Sequence, residues 1–353
     1  MIQELENNAV FSNEYKPAAP KKGDLAAIYE NRGRKLLMAL DENGVMSLPE
    51  AVLFKDYWIE PDDVNAEEKM AEKGGRLVYL YSIDDTAFYS FIYYDEKTPD
   101  FSFTGMEFLP FSFENKPLPK NIYFGAETAF QLATWYNDNR RCGRCGAPMQ
   151  AHPKIRSCRC SSCGYMVFPR VLPAVIIAVV HDDKLLMIRY RGREEDGYAG
   201  TALIAGFCEV GETIEDTVRR EVMEESGLKA ADIRYYKSQP WGFASNLLIG
   251  VICDIEGSDE IAVQDTNEVA EAVWLTRDEV KDDFMGVSLT DEMISYFKYG
   301  DDFPNHLSEL CSVVSEVVDP CYLVSHSVPE EVDGVSDNGG SDMSDMERLG
   351  DVG

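Results

Sequence analysis

The sequence lacks any apolar run that approaches the length of a membrane span, which argues against an integral membrane protein. Its first residues, MIQELENNAVF, lack the basic and apolar segments of an export signal. No internal repeat is evident either. We therefore expect a soluble protein without an export signal.

Basic residues are scarce relative to acidic ones. The chain has 33 Lys and Arg against 63 Asp and Glu, a formal net charge of −30. Such a charge repels nucleic acid at long range, so an anionic ligand must be held locally by a cation or by a few placed donors. We expect that cation to be Mg²⁺ or Mn²⁺. A hydrophobic content of 45% over 353 residues is enough for real cores.

Cysteine is present in an odd total of nine residues, and four of them form two C-x-x-C pairs. This usage favours a metal site in a reduced compartment, with the cytoplasm as the expected location, over a disulfide framework. Four thiolates with this spacing close a tetrahedral shell around Zn²⁺ without an open position for water, so we expect one structural zinc. The four are Cys142, Cys145, Cys160 and Cys163. Two alternatives stay open: Cys158 could replace Cys160, and His152 could replace a thiolate.

Six basic residues surround these cysteines. We interpret them as a solvated surface that balances an acidic protein, and as the place where RNA binding would begin. They are Arg140, Arg141, Arg144, Lys154, Arg156 and Arg159.

The chain divides by composition into four parts. A β-rich domain is expected over 1–125, with a hairpin formed by strands 76–83 and 86–94. A connecting helix at 126–139 leads into the zinc ribbon, and the two occupy 126–168. A catalytic domain is expected at 169–300. The acidic, Gly- and Ser-rich tail 301–353, with Cys311 and Cys321, is expected to be disordered.

Strands and helices are mixed after residue 170. Apolar runs predict strands at 171–180, 185–190, 201–206, 233–237, 246–255 and 272–275, and helices at 213–226 and 290–299. This alternation predicts an α+β domain in which helices flank a mixed sheet.

The helix at 213–226 carries acidic residues where an apolar stripe would continue. At 100° per residue, Glu221 and Glu225 follow Ile214 and Val218 on one face, with Glu224 on its flank. Acids at these spacings repel one another, so a cation must offset them. Hard divalent ions fit, because they bind carboxylate oxygens and polarise a pyrophosphate.

Two neighbouring residues complete this interpretation. Arg220 would hold the carboxylates in the ligating orientation. The loop at Gly206 would bring backbone carbonyls near the metal ions.

The stretch GFCEVGETIEDTVRREVMEESGL resembles the signature of the Nudix hydrolase family and meets its fixed positions. Downstream, SQPWGF at 238–243 resembles the S-Q-P-W-P-F-P-x-S array of the NADH pyrophosphatase subgroup, which also carries four cysteines ahead of the signature. The chain departs from that array at Gly242, Ala244 and Asn246, which puts the stiffness of the loop in doubt. Since Pro-Trp-Gly favours a loop, we expect no packed strand there.

The resemblance implies an α/β/α sandwich and a set of site residues. The implied catalytic residues are Glu225, Glu224 and Arg220. The implied ligands of Mg²⁺ or Mn²⁺ are Glu221, Glu225, Glu224, Glu268 and the Ala205 carbonyl, with Glu271 as the competing choice for Glu268. The implied substrate-binding residues are Phe168, Phe207, Ser238, Gln239, Pro240, Trp241, Phe243, Asn246 and Thr290, with Phe207 and Trp241 sandwiching a nicotinamide.

The implied reaction is hydrolysis of NAD(H) to NMN(H) and AMP, with removal of an NAD cap from RNA as an extension. No G-x-G-x-x-G motif follows a strand, so the dinucleotide is not held in a Rossmann fold. Two alternatives remain: a broader diphosphatase acting on ADP-ribose or other dinucleotides, and a non-catalytic zinc-ribbon module that binds nucleotides or RNA. The resemblance further implies a homodimer.

Overall fold

The computed structural model describes residues 5, 9–30, 34–40, 46–94, 99–101, 105–112, 118–191, 202–263, 267–281 and 288–300. The tail at 301–353, predicted to be disordered, lies outside the described residues, as do Cys311 and Cys321. None of the described helices combines the length and the apolar character needed to cross a bilayer.

The N-terminal region consists mainly of strands. They are β1 (Phe11–Ser12), β2 (Leu25–Ala27), β3 (Lys35–Leu40), β4 (Met46–Ser47), β5 (Gly75–Ile83), β6 (Thr86–Tyr93) and β7 (Glu107–Pro110), with α1 (Ala66–Lys73) and a 3₁₀ helix (Ala51–Tyr57). One sheet has the order β1-β5-β6-β2, and a second has the order β4-β3-β7. The predicted hairpin is confirmed, because β5 and β6 pair antiparallel around Asp84, whose φ of 51° closes the turn.

The connecting helix α2 spans Lys120–Asp138 and therefore begins before the predicted start at residue 126. The predicted helix began after Gly125, but Gly125 lies inside the observed helix. A Cβ at Gly125 would stand 2.3 Å from Cε1 of Phe88. Glycine is thus required here by close packing of the helix on β6 and does not end the helix.

A small sheet follows α2. Its strands are β8 (Met149–Ala151), β9 (Cys158–Cys160) and β10 (Met166–Val167), in the order β10-β9-β8.

The C-terminal region contains the largest sheet. Its elements are β11 (Leu172–His181), β12 (Lys184–Tyr190), β13 (Ile204–Phe207), α3 (Ile214–Ser226), β14 (Ala230–Trp241), a 3₁₀ turn (Gly242–Ala244), β15 (Asn246–Ile255), β16 (Val269–Thr276) and α4 (Leu289–Tyr299). The order is β14-β15-β11-β12-β16, and β13 also pairs with β11. The β11–β15 pair is parallel and the others are antiparallel, so the predicted mixed sheet is confirmed.

The two helices cover opposite faces of this sheet. Val218 and Val222 of α3 pack with Val175 and its alternate neighbours on β11. Met293 of α4 packs on the other face, with Ala174 and its alternate neighbours. The domain is an α/β/α sandwich, as expected.

Strand β14 corrects one prediction, that 238–243 is a loop. The strand continues through Trp241, which pairs with Asn246. Pro240 is compatible with the strand because β14 is the edge strand of the sheet, where a missing N–H is tolerated. The chain leaves the sheet only at Gly242.

Candidate active site

Helix α3 is fixed at both ends by its own sequence. Thr213 and Asp216 form a capping box at the start, and Gly227 ends the helix with φ of 76°. This register turns Glu221 and Glu225 inward, where they are 9% and 3% exposed. The prediction that the acidic residues continue the buried stripe is confirmed.

Glu225 lies deepest among these acids. Its Oε2 accepts a hydrogen bond of 2.7 Å from the hydroxyl of Tyr190, which itself accepts one of 3.1 Å from the backbone N–H of Ala205. Burial raises the pKa of Glu225 to about 8. Hydrogen bonds from the Tyr190 hydroxyl and, less strongly, from the Ala205 backbone lower this pKa and so oppose the effect of burial. The carboxyl is thus held by two donors in an environment that penalises its charge.

Glu221 occupies space that Gly206 leaves free. A Cβ at Gly206 would stand 1.8 Å from Oε1 of Glu221, so the β13 backbone and this carboxylate are in direct contact. Burial raises the pKa of Glu221, against the lowering effect of Arg220. Any larger residue at 206 would displace the carboxylate.

Arg220 links the segment between β13 and α3 to the acidic residues of α3. Its Nε donates to Oε1 of Glu212 at 2.6 Å and its Nη1 to Oε1 of Glu221 at 2.7 Å. Nη1 also lies 3.2 Å from Oε2 of Glu224, and Nη2 lies 2.9 Å from the Phe207 carbonyl oxygen. The pKa of Glu212 falls to about 2, chiefly because of its hydrogen bond with Arg220.

The two candidate acids downstream differ in their surroundings. The negative charge of Glu268 raises the pKa of both Glu221 and Glu225, which places Glu268 beside α3. Glu271 instead forms an ion pair of 3.0 Å with Arg189 on the neighbouring strand. Of the two candidates, Glu268 is therefore the one whose charge acts on Glu221 and Glu225.

A row of paired residues crosses the sheet near these acids. Phe207 pairs with Ala174, Ala174 with Leu248, and Leu248 with Gln239. Directly paired residues share a face, so Phe207, Gln239 and Trp241 lie on the α4 face, opposite α3.

The predicted substrate-binding residues on this face of the sheet differ in exposure. Phe207 is 51% exposed, whereas Gln239 and Asn246 are buried, at 1% and 7%. Within the part of the chain that the structure describes, both amide atoms of Gln239 and the Oδ1 of Asn246 have no hydrogen-bond partner. Buried amides rarely stay unsatisfied, so these atoms are available to a ligand or to water.

The remaining predicted substrate-binding residues are spread more widely. Phe168 is 57% exposed, and Ser238 and Pro240 are exposed on β14. Thr290 is partly buried in the first turn of α4. Phe243 is buried at 7% exposure, and its ring lies 5.6 Å from that of Trp241.

The four predicted zinc ligands come together. Every pair of their Sγ atoms lies within 4.8 Å, with Cys142 and Cys163 at 3.7 Å and Cys145 and Cys160 at 3.5 Å. A tetrahedron with Zn–S bonds of about 2.3 Å requires sulfurs roughly 3.8 Å apart. Backbone N–H groups of 162 and 163 donate to Cys160 and lower its pKa to about 6, which favours the ligating thiolate.

Neither alternative ligand joins this cluster. Cys158 is buried in the core under β6 and α2, and burial raises its pKa to about 12. The Nδ1 of His152 accepts a hydrogen bond of 3.2 Å from the Lys154 N–H. Among the residues that the structure describes, the four cysteines are the one group of three or more such ligands within this distance.

The basic residues around the ribbon do not form one surface. Arg140 donates to the carbonyls of Tyr93 and Tyr94, and Arg156 donates to that of Leu80, so both stabilise the N-terminal region. The guanidinium of Arg144 stacks on Tyr165 at 4.0 Å. The exposed members are Arg141, Arg144, Lys154 and Arg159.

Three residues of the site were not singled out from the sequence. Glu212 belongs to the quoted signature but was given no role, although it is the main partner of Arg220. Tyr190 and Glu127 carry no local motif. Only their places in the fold bring them to Glu225 and to Gly242.

The comparisons with known proteins agree with this geometry. Residues 171–297 match the model of the NUDIX domain, and residues 137–168 match the model of the NADH pyrophosphatase zinc ribbon domain. The family resemblance inferred from the sequence is thereby confirmed for both domains.

Two curated relatives are named NAD-capped RNA hydrolase NudC. The one from Klebsiella pneumoniae (strain 342) is 39% identical over 153 residues, which are 43% of this chain and 58% of that protein. The one from Enterobacter sp. (strain 638) is 39% identical over 163 residues, 46% of this chain and 61% of that protein. The chain thus spans about three fifths of the length of these relatives.

A solved NUDIX hydrolase from Nitrosomonas europaea is 17% identical and covers 46% of this chain and 92% of its own. Its TM-score of 0.35 is too low to carry an argument.

Proposed function

We propose that this protein hydrolyses the pyrophosphate of NAD(H) to NMN(H) and AMP, with NAD-capped RNA as a second substrate of the same site. The observation that carries the proposal is the burial of Glu221 and Glu225 beside Glu268, facing the backbone of β13. Burial and neighbouring negative charges raise the pKa of Glu221 and Glu225, so a bound cation would stabilise the charged form of both carboxylates. A divalent ion that binds oxygen ligands is such a cation.

The residues that would hold Mg²⁺ or Mn²⁺ are Glu221, Glu225 and Glu268, with Glu224 and the Ala205 carbonyl. When bound, such ions polarise the phosphorus and neutralise charge on the leaving oxygen. We assign to Glu225 the acceptance of a proton from the attacking water. Its interaction with Tyr190 orients the carboxylate for this step.

Arg220 and Glu224 complete the catalytic assignment. Arg220 orients Glu221 and Glu224 through direct hydrogen bonds and is held by Glu212. Glu224 is half exposed, at 49% for its side chain, which suits contact with a metal ion at the rim of the site.

The substrate's nicotinamide would lie on the α4 face, between Phe207 and Trp241. The unsatisfied amide of Gln239 can donate and accept hydrogen bonds, which suits a carboxamide. We place Asn246 and Thr290 around the same ligand, and Phe168, Ser238, Pro240 and Phe243 at its margins. Support for NAD-capped RNA comes from the relatives' name and from the exposed basic residues Arg141, Arg144, Lys154 and Arg159.

The test is incubation of purified protein with NADH and Mg²⁺ or Mn²⁺, with products separated by chromatography. We expect NMNH and AMP, their loss with EDTA, and at least a hundredfold lower kcat in Glu225→Gln. Glu215→Gln, an exposed acid in the first turn of the same helix, is the matched control and should retain activity. If folded, zinc-loaded protein cleaves ADP-ribose but neither NADH nor NAD-capped RNA, the broader diphosphatase assignment replaces this one.

We also propose a homodimer in the cytoplasm. Three exposed apolar side chains support association: Phe168 at 57%, Val171 at 58% and Val210 at 104%. Size-exclusion chromatography with light scattering measures the mass. A fully active monomer would contradict the dimer.

A further inference from the structure

Helix α2 and the end of strand β14 meet at a buried acid. Glu127 is 3% exposed, and its Oε1 accepts a hydrogen bond of 2.7 Å from the Gly242 N–H. The backbone of Phe243 also hydrogen-bonds this carboxyl. A single side chain of α2 thus satisfies the backbone where the chain leaves the sheet, directly after Trp241.

The contact between Glu127 and Gly242 depends on glycine. A Cβ at Gly242 would stand 2.7 Å from the Glu127 backbone oxygen and 3.0 Å from its Cγ. A proline at this position would in addition lack the N–H that Glu127 accepts. Gly242 and Glu127 are therefore matched to each other, which accounts physically for a glycine where a proline was expected.

The N-terminal strands fix the position of α2. The hydroxyl of Tyr81 donates to the Gly125 carbonyl, and that of Tyr29 donates to the Ala126 carbonyl. Gly125 lies directly against Phe88, as described above. Both carbonyls immediately precede Glu127, so the first sheet sets where its carboxyl lies.

Phe243 forms a second connection to the same region. Arg34 lies 5.6 Å from the centre of its ring, and Phe111 lies 5.5 Å from it. The ring of Phe243 also lies 5.6 Å from that of Trp241. A shift of the 3₁₀ turn would therefore move the Trp241 ring.

We propose that Glu127 is a positioning residue for the segment 238–243, and that through it the N-terminal strands set the orientation of Trp241 for substrate binding. This deepens the proposed function and rests on it for the role of Trp241. The inference gives the N-terminal region a role in recognition, although it supplies no group to the chemistry.

The first measurement is hydrogen–deuterium exchange of the full, zinc-loaded chain, which does not depend on activity. In Glu127→Ala the N–H groups of 242 and 243 lose their acceptor, so peptides covering 238–246 should exchange at least tenfold faster. Peptides covering 214–226 should be unchanged. Glu127→Gln keeps an acceptor oxygen and should stay within threefold of wild type. Thr134→Ala, at an exposed position of α2, is the matched control.

The second measurement is NADH hydrolysis by the same variants. We expect KM for NADH to rise about tenfold in Glu127→Ala while kcat changes less than threefold, because the metal-binding acids are untouched. Gly242→Ala, which pushes a Cβ against α2, should reproduce both effects and serves if Glu127→Ala fails to fold.

Several results would overturn the proposal. Unchanged exchange at 238–246 in Glu127→Ala would do so, as would a uniform increase across 171–255, which would make Glu127 a general core residue. If exchange at 238–246 were as fast in Glu127→Gln as in Glu127→Ala, the acceptor oxygen of residue 127 would not be what holds the segment, and the proposal would be refuted. If wild-type protein cleaves no dinucleotide, the proposed function fails, while the exchange measurement still decides whether Glu127 holds the segment.

Discussion

The hydroxyl of Tyr190 donates a 2.7 Å hydrogen bond to Oε2 of Glu225 and ties that carboxylate to strand β12. Removing the hydroxyl in Tyr190→Phe leaves the ring packed in the core but takes away one donor to a buried carboxylate. A hydrogen bond to a charged group contributes about 1.5–3 kcal/mol. We expect kcat/KM for NADH to fall roughly tenfold or more, and steady-state kinetics measures it.

Thermal unfolding of Tyr190→Phe controls for a loss of activity that is caused by a loss of stability. Since the hydroxyl faces the site, the melting temperature should change by only a few degrees. A variant with wild-type kcat/KM would show that Tyr190 does not orient Glu225.

The two downstream acids allow a direct comparison. Glu268→Gln removes a proposed ligand of the divalent ion, so the Mg²⁺ or Mn²⁺ concentration for half-maximal activity should rise at least tenfold. Glu271→Gln breaks only a half-exposed pair with Arg189 and should have little effect. Metal titrations of activity distinguish them, and the reverse ranking would move the ligand assignment to Glu271.

The zinc site gives a prediction in terms of metal content. Cys163→Ser should lower bound zinc well below one per chain and should unfold the ribbon, because structural zinc contributes directly to folding. Cys158→Ala should keep a full zinc complement and lose only packing energy, since Cys158 lies in the core. Elemental analysis of purified protein decides. If Cys158→Ala lost zinc and Cys163→Ser kept it, Cys158 would be the zinc ligand and Cys163 would not.

Because Glu127 is buried, we expect the free energy of unfolding to depend on pH. The pKa of Glu127 is raised from 4.5 to about 8 by burial, so the folded state binds a proton more tightly than the unfolded state. The stabilisation from that proton is fully present below about 4.5 and is lost as the pH rises through about 8. The melting temperature of wild type should therefore fall relative to Glu127→Gln between these pH values. A difference that is constant with pH would show that the carboxyl does not titrate in this range.

The sequence was most informative where local chemistry and function coincide. The helix predicted at 213–226 and the placement of Glu221 and Glu225 on its apolar face follow from local sequence spacing, and the structure confirms both. The zinc site could be predicted in the same way, because each pair of cysteines is separated by only two residues in the sequence.

Elements that depend on distant neighbours could not be predicted in the same way. Strand β14 continues through Pro240 because it lies at the sheet edge, a fact of topology that no local pattern contains. Tyr190 and Glu127 meet their partners across 35 and 115 positions of sequence. The start of α2 was misjudged because the close packing that requires Gly125 comes from Phe88.

The row Phe207, Ala174, Leu248 and Gln239 crosses four neighbouring strands. With strands about 4.8 Å apart, Phe207 and Gln239 are anchored roughly 14 Å from each other. Side chains anchored this far apart contact a common ligand only by extending toward each other over the sheet. Ala174 and Leu248 lie between them on the same face of the sheet. The small side chain of Ala174 leaves space above the sheet next to Phe207. The span that a common ligand of Phe207 and Gln239 must cover is therefore set by the number of strands between them.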